Sequence, residues 1–132
     1  MARIYAKLSY LHIAPRKVRL LANLIRGKKV TLAEEALELS NKRSAGPLLK
    51  LLRSAAASAK SSGEDSAASL YIKMIRVDQG PAYKRSLSRS RGRTSLIKKI
   101  TSHVHIELGK REEKKINKGV VKKVAAKTEN KV

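Results

Sequence analysis

Residues 80–99 read GPAYKRSLSRSRGRTSLIKK, with seven Lys or Arg and no carboxylate. Neither helical nor alternating periodicity runs through them, yet the segments on both sides have the pattern of β-strands. Loops longer than about 12–15 residues in a compact domain are usually functional or disordered. A floppy basic linker would not explain why a strand resumes after it. The pattern therefore predicts that the two strands continue past the body as a two-stranded arm over residues 79–99. At roughly 3.3 Å per residue, ten residues a side reach ~30 Å. Such a ribbon cannot bury its own faces and is marginal in water. Its like charges worsen matters until something anionic neutralises them.

The rest of the chain has to supply a body for that arm. Residues 2–10, ARIYAKLSY, alternate, with Ala2, Ile4, Ala6, Leu8 and Tyr10 on one side and Arg3, Tyr5, Lys7 and Ser9 on the other, a half-buried strand. In APRKVRLLANLIRG, Pro15 suits a first helical turn and Gly27 a C-terminal cap. Val18, Leu21, Ala22 and Ile25 share one face of this helix, and Arg16, Arg19, Asn23 and Arg26 form a row on its flank, suited to phosphate. Thr31 with Glu34 matches a capping box that would open the helix TLAEEALELS. A longer helix is expected from Pro47, PLLKLLRSAAASAK, with a core stripe of Leu48, Leu51, Leu52, Ala55 and Ala59. SSGED is read as a loop.

Residues 67–78 predict a second strand, too apolar on both faces for simple alternation. The third, near residues 97–108, sets Ile100, Ser102, Val104, Ile106 and Leu108 against Thr101, His103, His105 and Glu107. The expected fold is α+β: a three-stranded antiparallel sheet on three helices, within one domain of residues 1–108 that includes the arm. Residues 109–132 form a Lys-rich tail, expected to be disordered when free.

Charge is distributed unevenly over this plan. Of the 31 basic and 10 acidic residues, eight basic and no acidic ones fall in residues 1–33, and seven basic and none acidic in 79–106. Residues 34–78 are nearly neutral, with seven basic and six acidic. Two acid-free blocks imply two surfaces held against phosphate, because a merely soluble protein intersperses its charges. The net charge of +21 makes nucleic acid the leading partner and an anionic membrane surface the second.

Composition excludes much else. There is no Cys, hence no disulfide, thiolate catalysis or Cys-based zinc site. Trp and Phe are absent and only Tyr5, Tyr10, Tyr71 and Tyr83 remain, too few for a base-stacking platform. No apolar run approaches the ~20 residues of a membrane span. Lys7, Ser9 and His12 interrupt the apolar stretch a signal peptide would need, so a cytosolic protein is expected. His103 and His105 share a strand face but have no carboxylate cluster for a metal. Gly27-Lys28-Lys29 lacks the preceding glycine of a phosphate loop. No enzyme, cofactor or small-molecule substrate is expected. A helix-turn-helix reading fails on polarity, because the first helix is basic and the second acidic.

Within the arm, Ser86, Ser88, Ser90, Thr94 and Ser95 supply small hydroxyls for phosphate or 2′-OH, and Arg dominates the tip. At these residues the chain resembles the family of the bacterial large-subunit ribosomal protein numbered twenty-two. The family's Gly-Pro-x-x-Lys-Arg, Arg-x-x-Gly-Arg and Thr-Ser-His elements are matched by Gly80, Pro81, Lys84, Arg85, Arg89, Gly92, Arg93, Thr101, Ser102 and His103. APRKVRLLANLIRGK is similar to its other hallmark, and the resemblance covers residues 2–108. Two positions depart: Ser88 stands where Pro is frequent, and Ile100 where a basic residue is usual.

The resemblance implies a non-enzymatic constituent of the large ribosomal subunit that binds large-subunit (23S-type) rRNA and supports its assembly. By that likeness the body sits near the outer opening of the nascent-peptide exit tunnel, and the arm lines the wall inward. Partners would be that rRNA, neighbouring large-subunit proteins and the nascent polypeptide, with no membrane and no homo-oligomer. Contacts to rRNA are expected from Arg3, Lys7, Arg16, Lys17, Arg19, Arg26, Lys28, Lys84, Arg85, Arg89, Arg91, Arg93, Lys98, Lys99 and His103. The tip near the constriction would be Lys84, Arg85, Ser86, Leu87, Ser88, Arg89, Ser90, Arg91, Gly92 and Arg93.

Overall fold

A computed structural model describes residues 4–62 and 69–110. Arg3 and the tail beyond Lys110 lie outside them. The order is β1 (Ile4–Leu11), α1 (Pro15–Ile25), α2 (Val30–Glu38), α3 (Ala45–Ser61), β2 (Leu70–Ser88) and β3 (Thr94–Lys110), with a 3-10 turn at Ser90–Gly92. The antiparallel sheet has the order β1-β3-β2, so β3, the last strand in sequence, is its centre. Gly109 and Lys110, assigned to the tail from sequence, continue β3.

The apolar stripes meet as their spacing requires. Val18, Leu21 and Ile25 of α1, Leu37 of α2, Leu48 and Leu52 of α3, and Leu70, Ile72, Val104 and Ile106 of the sheet are each at most 2% exposed. Each such burial stabilises by about 1.5–3 kcal/mol. The narrowing of the α3 stripe to Ala55, Ala56 and Ala59 lets this helix lie close against β1 and β3.

Three local expectations give way to tertiary structure. The N-cap of α2 is Lys29, two residues before Thr31, with no side-chain capping bond, so Thr31 and Glu34 form no capping box. Lys29 is bridged to Tyr71 and Val30 is buried, so docking sets the start of this helix. α3 likewise opens at Ala45, placing Pro47 third, where its missing N–H has no intrahelical partner to lose. Tyr10 does not join the inward face of β1. It adopts φ 56° at a register break between Leu8 and Leu11, stands 59% exposed, and hands its inward place to Leu11.

β2 carries two further irregularities. A bulge between Ile72 and Met74 shifts the buried set from Leu70 and Ile72 to Ile75 and Val77, which accounts for its lack of simple alternation. A second, between Gln79 and Ala82, leaves Gly80 and Pro81 outside the ladder. β2 is also an edge strand, and α1 dresses that edge. The Gly27 N–H donates to the Ile72 carbonyl (3.1 Å), and the Ile72 N–H to that of Lys28 (3.0 Å). Arg19 donates through Nε and Nη2 to the Val77 carbonyl (3.3 and 3.1 Å), and Arg26 through Nη2 to that of Ile75 (3.1 Å). Two of the three arginines in the row therefore block an edge that could template unwanted pairing.

Candidate nucleic-acid interface

β1 last pairs with β3 at Leu11–Ser102, after which β2 and β3 run on alone to Ser88–Thr94. Directly opposed residues share a face of this ribbon. Tyr83 with Lys99, Arg85 with Ile97, and Leu87 with Ser95 make one face. Ala82 with Ile100, Lys84 with Lys98, Ser86 with Leu96, and Ser88 with Thr94 make the other. Lys84 and Lys98 thus stand opposite each other, a like-charge arrangement that destabilises a sheet. At the tip the Arg89 N–H donates to the Arg93 carbonyl (2.7 Å), and Arg91 and Gly92 both take left-handed conformations, φ 57° and 67°. The glycine suits that position, since a side chain there would be strained. Arg89, Arg91 and Arg93 fan outward, all exposed.

Where the ribbon leaves the body, three consecutive β3 side chains each fasten a different segment. The Thr101 hydroxyl donates to the Pro81 carbonyl (2.8 Å), and the Ser102 hydroxyl to that of Ile13 (2.9 Å). His103 Nδ1 accepts the Tyr10 N–H (3.0 Å), with the two rings edge to face at 4.8 Å. His103, expected to touch RNA, is engaged on this side by the protein itself. The Thr-Ser-His run is the neck of the ribbon.

Beside the neck, where β1 has ended and β3 is unpaired on that side, a cleft of about 720 Å³ opens. It gathers Lys17, Lys98 and Lys99, three of the expected contacts, with Lys42 and Arg43 from the connection between α2 and α3. Sequence reading missed the last two. They sit in the segment that averages to near neutrality, and their only signal was the adjacent Lys-Arg pair.

The exposed face of the sheet carries a second, smaller cluster. Lys7, His105 and Arg76 lie in one cross-strand row, and Arg76 pairs with Asp78 at 2.9 Å. Desolvation first, then the charges of Lys7 and Arg76, hold the His105 pKa below its ordinary 6.5, with Asp78 partly opposing. As pH falls, the unfolded chain takes up this proton before the folded one. The contribution to stability is complete above the unfolded value and is lost as pH drops through the folded one. An NMR titration should place the His105 midpoint below that of an unfolded reference peptide, and Lys7→Gln should move it up. A midpoint at or above the reference would contradict this electrostatic account. Arg16 is exposed near the start of α1, and Lys28 is half-buried, its carbonyl bound to β2.

A small α+β body bearing an acid-free cationic ribbon defines a strongly basic protein with a protruding two-stranded arm. Comparison with known proteins makes this specific. A family model described as ribosomal protein L22p/L17e matches residues 6–109. A protein of Thermus thermophilus named "Large ribosomal subunit protein uL22" is 48% identical over 105 residues, covering 80% of this chain and 93% of that protein. One of the same name from Anaeromyxobacter sp. (strain K) is 46% identical over 106 residues, 80% of this chain and 73% of its own. Another, from Myxococcus xanthus (strain DK1622), is 45% identical over 105 residues, with coverage of 78% and 92%. The chain belongs to the ribosomal protein L22p/L17e family, a structural family and not one of enzymes.

Proposed function

We propose that this protein, as a constituent of the large subunit of the cytoplasmic ribosome, binds large-subunit rRNA, supports its assembly, and lines the nascent-peptide exit tunnel with residues 79–99. The name shared by its relatives supports the subunit. The observation that carries the reading is Lys84 facing Lys98 on a ribbon that has no carboxylate of its own. Threaded into RNA, each cation replaces a condensed counterion, and repulsion across the strands becomes attraction to phosphate. The body anchors the neck while the tip, Lys84 to Arg93, extends toward the peptide path. Neighbouring large-subunit proteins and the nascent chain are the remaining partners. No helix among the described residues is long and apolar enough to cross a membrane.

The test is competition. At moderate salt the chain should prefer folded large-subunit rRNA to duplex DNA of equal length, and should sediment with salt-washed large subunits. Equal affinity for both nucleic acids, or absence from washed subunits, would overturn the reading.

A further inference from the structure

The cleft beside the neck is more than a patch of charge. Its five cations have no carboxylate among the lining residues, which selects a phosphate-bearing occupant. Its floor, however, is apolar, formed by Ile13, Leu20 and Ile100. Leu20 is 58% exposed although it lies on a helix with a well-buried opposite face. Phosphates along a regular duplex would leave that floor wet. His12, stacked on Tyr83 with ring centroids 6.0 Å apart and planes 28° from parallel, supplies an aromatic wall. Ser44 lines the cleft at 3% exposure, and its hydroxyl does not cap α3. A hydroxyl on the cleft wall that the helix does not use can donate to or accept from a ligand atom.

We infer that the cleft receives one unpaired nucleotide of the RNA. Its phosphate lies among Lys42, Arg43 and Lys98, which shares a ribbon face with Ile100, its base against Leu20 and Ile100 beside His12, and a polar edge or 2′-OH on Ser44. The volume is within the range of small-molecule pockets and is ample for a nucleotide. Single-stranded RNA is read with its bases splayed out onto aromatic side chains, and a base turned out of its stack can be held between aromatic and apolar side chains. The inference rests on the rRNA reading above, and it adds a discrete site away from the ribbon tip.

The experiment measures binding of the full chain to a large-subunit rRNA transcript over a range of salt, for Leu20→Ser, Leu20→Met and Lys42→Gln/Arg43→Gln. Leu20 is exposed, so its variants should fold, as thermal melts will report. Leu20→Ser should weaken binding about three- to tenfold with the salt slope unchanged, because a stacked base contributes without ion release. Leu20→Met keeps the apolar floor and should bind as the parent does. The double variant should weaken binding and lower the slope by about 0.7 to 0.9, the share of the single phosphate placed there. If Leu20→Ser binds normally while the double variant lowers the slope, the cleft takes backbone phosphate alone and the inference fails. If neither set changes binding, RNA does not enter the cleft and the inference also fails. If the parent chain does not bind the transcript, the fault lies with the rRNA reading itself.

Discussion

Replacing Arg89, Arg91 and Arg93 together by Gln is expected to weaken rRNA binding by on the order of a hundredfold near physiological salt. The slope of log affinity against log salt should fall by about 2.7, close to 0.9 for each phosphate that no longer meets a cation. The size of the effect follows from where the chain keeps its acids. Its ion pairs of described residues, Arg53–Glu38, Lys73–Glu107 and Arg76–Asp78, all lie in the body. None reaches the tip, so its three guanidinium groups have no internal countercharge to fall back on.

The turn that carries them is held by backbone bonds, Arg89 N–H to Arg93 carbonyl and Arg93 N–H to Ser90 carbonyl, so Gln side chains should leave its shape intact. Charge is then the variable under test. Filter binding at several salt concentrations separates the outcomes. A slope equal to that of the parent would mean that these residues face solvent, not phosphate. Arg53→Gln is the control, since an exposed, already paired arginine on α3 contributes little. Its slope should stay near that of the parent.

How far the sequence could be read depended on how local each cause is. The stripes on α1 and α3 are set by 3.6-residue spacing within one element, and the residues named from spacing, Val18 to Ile25 and Leu48 to Ala59, are all buried, joined by Pro15, Ala45 and Ala56. β1 was legible as far as Leu8 and failed at Tyr10. The reason for its left-handed turn is a hydrogen bond to His103, a residue 93 positions away. The capping box at Thr31 failed similarly, because the pairing of Lys29 with Tyr71 starts α2 earlier. The cationic row on α1 was visible as charge. That Arg19 and Arg26 also close the β2 edge depends on which strand lies there, and no helical periodicity contains that information. Lys42 and Arg43 were missed because their role comes from convergence with Lys17, Lys98 and Lys99, brought together only by the fold.

The neck is where backbone geometry and function meet most directly, and Gly80→Ala is the change that tests it. Gly80 lies in the bulge opposite Thr101, and a Cβ built there would sit 2.5 Å from the Thr101 Oγ and 3.0 Å from His103 Nε2. Thr101 is 1% exposed, so its hydroxyl cannot turn to water. It must leave the Pro81 carbonyl, or the ribbon must swing away from the body. An unsatisfied buried hydroxyl plus a displaced rotamer should cost about 2–4 kcal/mol of stability. The steric cause can be isolated with a second substitution. Thr101→Ala alone removes the bond to Pro81 and is moderately destabilising, but it empties the space that the new methyl needs. In that background Gly80→Ala should cost far less, giving a coupling energy above about 1 kcal/mol in a double-mutant cycle from urea unfolding. Additivity within about 0.5 kcal/mol would show that the glycine is there for another reason. Because the same three side chains, Thr101, Ser102 and His103, aim the ribbon relative to β1 and α1, Gly80→Ala should also weaken rRNA binding while leaving every cation in place. A loss of affinity without loss of charge separates the direction of the ribbon from its electrostatics.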